Sequence, residues 1–314
     1  MDRPVAMRML SQELQQKAIL ELNENPEKIS EYLDKLRQWL QKQPHLTARD
    51  DDMHLLSFLR GSKWSFHVAT QKIDQFYSMR ALVPELFQNR DPLSEELQAI
   101  FNARSITPLP DEAGYVGPKM ILLVFNEAAA GISLVSLVKA LFMSFDVLMH
   151  ENDNIIVSGF KIFCDYKEVT PKYVLSEFTP SIMKKFAVGL QSVYPMRMKG
   201  LIGINVPKSL EVVYNNIGRH FLSTKLQERV RLISESDWNQ AAGCDVMKFI
   251  PKEYGGKNTS LNVLADEWSK KMVDCREWFL EENNYICDET CRPDYTSCSD
   301  NLGMVGSFRQ LDID

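Results

Sequence analysis

The sequence predicts an α/β protein: an N-terminal helical bundle followed by a mostly parallel sheet flanked by helices. Three observations predict it. From Pro26 to about Asn89 apolar residues recur at helical spacing. Beyond a loop rich in proline and glycine, short β-rich runs alternate with helical ones. A hydrophobic content of 45% in 314 residues is ample for a buried core. The expected division is a helical domain over 1–100, a sheet domain over 101–275 and a C-terminal tail over 276–314.

In the first block, Ile29, Leu33, Leu36 and Leu40 repeat at three- and four-residue spacing, as do Ala69, Ile73, Phe76 and Met79. Pro44 breaks the run, and Thr47 with Asp50 to Asp52 supplies helix-starting caps and acidic first-turn residues that suit the macrodipole. Pro84 ends the last helix of the block. Thr107, Pro108, Pro110, Gly114, Gly117 and Pro118 then punctuate a loop. After it, 119–125, 155–166 and 200–207 read as strands, while 133–151, 180–193 and 208–221 read as helices. From about Glu277 the chain is polar without a long periodic run, as expected of a tail that wraps or dangles.

Lys plus Arg is 36 against 42 for Asp plus Glu, a net charge of −6 that argues against a nucleic-acid partner and restricts any anion site to a local patch. The most apolar runs, such as Lys119 to Phe125, are far shorter than the roughly 20 residues of a spanning helix. The amino end turns polar within a few residues, unlike a secretory signal, so a cytoplasmic protein is expected, and a monomer is expected as well. Six cysteines without a C-x-x-C pair fit reduced thiols, and the Asn258-Thr259-Ser260 sequon is expected to stay unmodified. No H-E-x-x-H, G-x-S-x-G, P-loop or G-x-G-x-x-G pattern occurs, and the five histidines are scattered. No enzyme, metal or cofactor is expected.

Four segments, in order, resemble the CRAL-TRIO family of lipid-transfer proteins, and within it the branch of α-tocopherol transfer protein and cellular retinaldehyde-binding protein. Asp51 to Trp64, continued by Phe76, Tyr77 and Arg80, is similar to the family's helical opening motif. Ser158 to Asp165 resembles its G-x-x-x-I-x-D strand, Tyr194 to Pro207 its Y-P-x-[RK]-x-[RK] to I-N-x-P core, and Ile250 to Gly256 its L-P-x-E-Y-G-G close. The likeness covers roughly Asp51 to Trp268. It implies a cage around a lipid cavity, with a gate over Leu210 to Phe221. It also implies phosphoinositide contacts at Arg197, Lys199 and Arg229. Ser62 stands where that branch has a basic residue, and Lys63 would lie about 100° around a helix from it.

Periodicity alone reads as an ordinary half-buried strand with two solvated charges and a helix packed in the core; the resemblance turns both into site elements. In an extended strand Met198, Gly200, Ile202, Ile204 and Val206 share one face, nearly all apolar, while Arg197 and Lys199 share the other. Leu210, Val213, Tyr214, Ile217 and Phe221 form a helical stripe. The expected ligand contacts are Phe142, Phe145, Met149, Phe160, Ile162, Phe178, Phe186 and Leu190, with Ile202, Ile204, Leu210, Val213, Ile217 and Phe221. So many aromatics favour an elongated or ring-bearing apolar ligand, of retinoid, carotenoid, tocopherol or sterol type. Three bases near an anionic leaflet give about 3 kcal/mol, a transient attachment. The expected function is a carrier of one hydrophobic small molecule, exchanged at phosphoinositide-containing membranes. A lipid-sensing adaptor that presents bound lipid or phosphoinositide to a partner protein is the alternative.

Overall fold

The structure, a computed structural model, describes residues 8–129, 131–234 and 246–293. The end of the expected tail, 294–314, lies outside the described residues. Six helices open the chain: α1 (Gln12–Leu22), α2 (Ile29–Leu40), α3 (Asp52–Gly61), α4 (Phe66–Leu82), α5 (Pro84–Phe87) and α6 (Glu95–Asn102). Side-chain caps start several of them, with Ser11, Asp51 and Ser94 each accepting from a backbone N–H of the first turn.

A five-stranded sheet follows, in the order β1 (Ile106–Pro108), β2 (Lys119–Val124), β3 (Phe160–Asp165), β4 (Met198–Ile204) and β5 (Val230–Leu232). The β1 strand runs antiparallel to β2, and the other pairings are parallel. Helices α7 (Leu134–Glu151), α8 (Asp153–Val157), α9 (Pro171–Glu177), α10 (Pro180–Val188), α11 (Lys208–Asn216) and α12 (Thr224–Gln227) occupy the connections. A helix over Leu261–Asp274 then packs on β1.

Several elements differ from expectation. Thr107 and Pro108, read as loop, pair with β2 as part of β1. The stretch over 155–166 is not one strand. Asn152 caps Ile155 N, and Asp153–Val157 turns helical before β3 begins. The β-branched Ile155, Ile156 and Val157 look strand-like, but all three are buried in contact with α1, α3 and α7, and packing overrides that weak propensity. The helix over 208–221 stops at Asn216. Ile217 leaves helical geometry and a 3₁₀ turn covers Gly218–Phe221.

One core runs continuously from Leu33, Leu55 and Phe76 of the helical block through Leu141 and Phe145 of α7 to Ile121, Ile162 and Cys164 on the sheet. A smaller core, with Leu122, Phe163, Ile202 and Ile204, fills the opposite face of the sheet against Phe249 and Ile250. The helical block is also pinned by buried charge. Asp146 on α7 accepts two hydrogen bonds of 3.0 Å from Arg80 Nη2 and a further one from Arg90. Arg60 donates to Glu24 at 2.7 and 3.2 Å, both side chains being buried.

Much of what resembles a family motif proves to be scaffold. Asp165, Asn205 and Tyr254, from three separate motifs, meet at the C-terminal ends of the strands. Asn205 Nδ2 donates to Asp165 Oδ1 at 2.7 Å, and the Tyr254 hydroxyl donates to Oδ2 at 2.9 Å. Gly61 is needed because a Cβ there would sit 2.0 Å from the Pro195 carbonyl oxygen, joining the end of α3 to the Tyr194-Pro195 corner. The described part of the tail wraps rather than dangles. Thr47 N donates to Ile286 O, Asp288 N donates to His45 O, and Arg292 grips Asp74 at 2.8 and 3.0 Å.

Candidate functional site: an apolar cavity beside a basic cleft

A cavity of about 140 Å³ lies between one face of the sheet and the helices α7, α10 and α11. The sheet contributes Leu123, Ile162, Cys164, Leu201, Val230 and Leu232, every second residue of each strand. The first half of α7 adds Leu134, Leu137, Val138 and Leu141, one stripe at i, i+3, i+4 and i+7. From α10 come Ile182, Met183, Phe186 and Ala187. The polar side-chain groups on this wall are the Cys164 thiol and the Tyr166 and Tyr214 hydroxyls. Burial pushes the thiol up to about 12 and raises the Tyr166 hydroxyl well above its ordinary value, the neighbouring thiol adding to the effect. The thiol and the Tyr166 hydroxyl therefore stay protonated and uncharged, so an apolar guest would meet no charged side chain on this wall.

Beside the cavity is a second, polar depression lined by Lys63, Lys72, Arg197, Lys199, Lys225 and Arg229, with Glu21 as its carboxylate. Leu190 and Met198 line both chambers and form the wall between them. Leu190 belongs to a π-helical turn over Gly189–Val193, a feature found disproportionately at functional sites. Arg197 is anchored by one guanidinium nitrogen to the Val157 carbonyl, while its Nε and Nη1 are buried without a partner. Arg229 Nη1 donates to Met198 O at 2.6 Å. Burial lowers the pKa values of both Arg197 and Lys199, and repulsion from the neighbouring cations adds to it. Such crowding of cations with unfilled donors is relieved by a bound anion.

A family model described as CRAL/TRIO domain matches residues 112–256, the segment that builds β2 to β5, the cavity and most of the basic cleft. The chain carries a CRAL/TRIO domain. A second model, described as Pinta-like, UBA domain, matches residues 25–97 of the helical block. Among curated relatives, the alpha-tocopherol transfer protein-like protein of Mus musculus is 27% identical over 96% of this chain and 84% of its own. Clavesin-2 of Rattus norvegicus is 25% identical over 90% of this chain and 85% of its own. Clavesin-1 of Pongo abelii is 29% identical over 88% and 76%. The crystal structure of Sfh5 aligns with 88% of this chain and all of its own at a TM-score of 0.47 and 14% identity.

Within the CRAL/TRIO domain the expected ligand residues divide. Ile162, Phe178, Phe186, Leu190 and Leu210 line the cavity. Phe142, Phe145, Met149 and Phe160 do not; they lie in the packed core, with Phe142 stacked on Phe87 and Phe145 4.9 Å from Phe160 between ring centroids. Since α7 is apolar nearly all round, its sequence holds no signal for which face meets the cavity. Ile202 and Ile204 face away, into the smaller core. A bulge is the cause: Phe160 pairs with Met198 but Lys161 with Gly200, so Lys199 is an extra residue and the alternation reverses beyond it. Leu201, not Ile202, therefore faces the cavity beside Met198. Along the expected gate segment, Leu210, Tyr214, Gly218 and Leu222 line the cavity, while Val213, Ile217 and Phe221 do not. The break at Ile217 rotates the later residues off the ideal stripe.

The three expected bases, Arg197, Lys199 and Arg229, lie in one cleft, with Lys63, Lys72 and Lys225 that the sequence reading left out. A continuous helix would point Lys63 away from the Ser62 position, yet α3 ends at Gly61 and Lys63 adopts φ 53°, a left-handed conformation that brings it to the cleft. Lys225 stands four residues before Arg229, a spacing that could have revealed it. Lys72 carries no such signal, because its helix belongs to a different part of the chain.

Proposed function

We propose that this protein is a carrier of one hydrophobic small molecule, held in the apolar cavity and exchanged at phosphoinositide-containing membranes. The observation that carries the reading is the shared wall of Leu190 and Met198, which places an apolar chamber directly against a cleft of six cations. Burying about 400 Å² of ligand surface at ~25 cal/mol per Å² gives roughly 10 kcal/mol relative to water before association costs, which keeps a lipid in the cavity rather than in water and leaves exchange with an equally apolar bilayer near balance. The volume of about 140 Å³ is below the roughly 300 Å³ of small-molecule sites, so an occupied state calls for outward movement of the Leu210 to Leu222 segment. The nearly apolar wall supports an elongated or ring-bearing ligand with few polar contacts, such as a retinoid, carotenoid, tocopherol or sterol. Organic extraction of the purified protein followed by mass spectrometry tests that class, and recovery of only a diacyl phospholipid would count against it.

Transfer of a fluorescent apolar ligand between donor and acceptor vesicles tests the function. Acceleration that grows with phosphoinositide in the acceptor is expected, whereas saturable binding without acceleration would favour a lipid-sensing adaptor. The double variant Arg197→Ala, Lys199→Ala is expected to bind such vesicles about 2 kcal/mol more weakly, at about 1 kcal/mol per removed charge, with the loss shrinking as salt rises. Parent-like binding by that variant at low salt would remove the anion site from the proposal.

A further inference from the structure

We propose that Lys72, on α4 of the helical block, is a further ligand for the phosphorylated headgroup in the basic cleft, held in reserve by two backbone carbonyls. The inference rests on the reading of that cleft as an anion site. Lys72 is half-buried on the cleft wall, and its Nζ donates to Gln191 O and Tyr194 O, both at 3.3 Å. Charge-assisted hydrogen bonds are normally about 2.7–2.9 Å long, and an ammonium has three donors, so these contacts leave Lys72 under-coordinated. A phosphate oxygen would be a stronger acceptor than either carbonyl.

The surroundings support this. The charged groups facing Lys72 across the cleft are Glu21 from α1, Lys63 after α3, Arg197 and Lys199 at the start of β4, and Lys225 and Arg229 from the segment before β5. Five of these six are cations, and no carboxylate lies within ion-pair distance of Lys72 among the described residues. Burial lowers its pKa to about 8, so the ammonium sits close to losing its proton unless an anion arrives. The carbonyl it holds belongs to Gln191, whose side chain donates to Phe221 O at 2.9 Å and accepts from Ser223 N at 2.8 Å. Lys72 thus touches, through one residue, the chain just past the gate turn.

The sign of the pH dependence follows. A phosphorylated ligand binds the protonated Lys72, so its affinity is full below about pH 8 and falls as pH rises through that value. Lys199, whose pKa is also depressed, titrates in the same cleft, so a lysine-to-arginine change at 72 is needed to isolate the effect.

The test measures binding of the full-length protein, its Lys72→Met, Lys72→Arg and Arg197→Ala, Lys199→Ala variants. The probes are phosphatidylcholine vesicles with a few per cent phosphatidylinositol bisphosphate, and soluble inositol trisphosphate. At neutral pH, Lys72→Met is expected to bind the vesicles about fivefold more weakly, from about 1 kcal/mol per lysine. Lys72→Arg should keep the parent affinity and show a smaller fall between about pH 7 and 9. A matching loss with soluble inositol trisphosphate would assign the contact to the headgroup phosphates, and a loss confined to vesicles would assign it to the lipid surface, overturning direct phosphate ligation. Parent-like binding by Lys72→Met at both pH values, alongside a loss in the Arg197, Lys199 variant, would overturn the role of Lys72 alone. Parent-like binding by both would overturn the anion site itself.

Discussion

Asp146→Ala is expected to lower the unfolding free energy by about 3–5 kcal/mol, the usual result of removing one partner from a buried charge cluster. Asp146 is 1% exposed and accepts hydrogen bonds from Arg80 and Arg90, which are themselves buried. Without it, two guanidinium groups remain in the core between α4 and α7 with only weak substitutes. Arg80 would keep its contact with the Phe76 ring, at 3.4 Å to the centroid, and one bond to the Phe76 carbonyl. Urea denaturation followed by circular dichroism reads the loss directly. A change under about 1 kcal/mol would mean that the cluster is replaceable, against its placement between two helices. The same helix α7 carries the cavity stripe from Leu134 to Leu141, so ligand binding should fall with stability in this variant.

Ala187→Phe should produce the opposite pattern, abolishing ligand uptake while sparing the fold. Ala187 lies on α10 and lines the cavity with a single methyl group. A phenyl ring there occupies the chamber rather than close-packed core, so the stability change should stay within the 1–3 kcal/mol of an overpacked site. A ligand denied even half of about 400 Å² of apolar contact loses roughly 5 kcal/mol, more than a thousandfold in affinity. Titration of the stripped protein with a fluorescent retinoid or tocopherol analogue measures the effect. Parent-like affinity would place the ligand elsewhere, and Ala187→Val should fall between the two.

The resemblance in four short segments points to the right architecture, and in the structure those segments supply both supports and lining: Ile162, Cys164, Met198 and Leu201 face the cavity, and Lys63, Arg197 and Lys199 the cleft. Asp165, Asn205 and Tyr254 tie strand ends together, and Gly61 allows α3 to touch Pro195. Their spacing is readable because each is demanded locally, by a turn, a close approach or a hydrogen bond between neighbouring strand ends.

Sequence alone determined the alternation of helix and strand, the apolar runs that became the two cores, and the presence of cations around Arg197 and Arg229. These are properties of periodicity and composition, carried by residues near one another in the chain. Only the tertiary structure decided which apolar residues face the cavity. One extra residue at Lys199 inverts β4, and the break at Ile217 turns Gly218 to Phe221 out of the line of the preceding helix. The helix α7 is apolar on every side, so its partner rather than its sequence selects the cavity face. Tertiary structure also gathered Lys63 and Lys72 into the cleft, since they come from the helical block and are brought to Arg197 by the close approach of Gly61 to Pro195 and by the contact of α4 with the π-helical turn. Periodicity reports the direction of a side chain relative to its own element, whereas a site is made where separate elements meet.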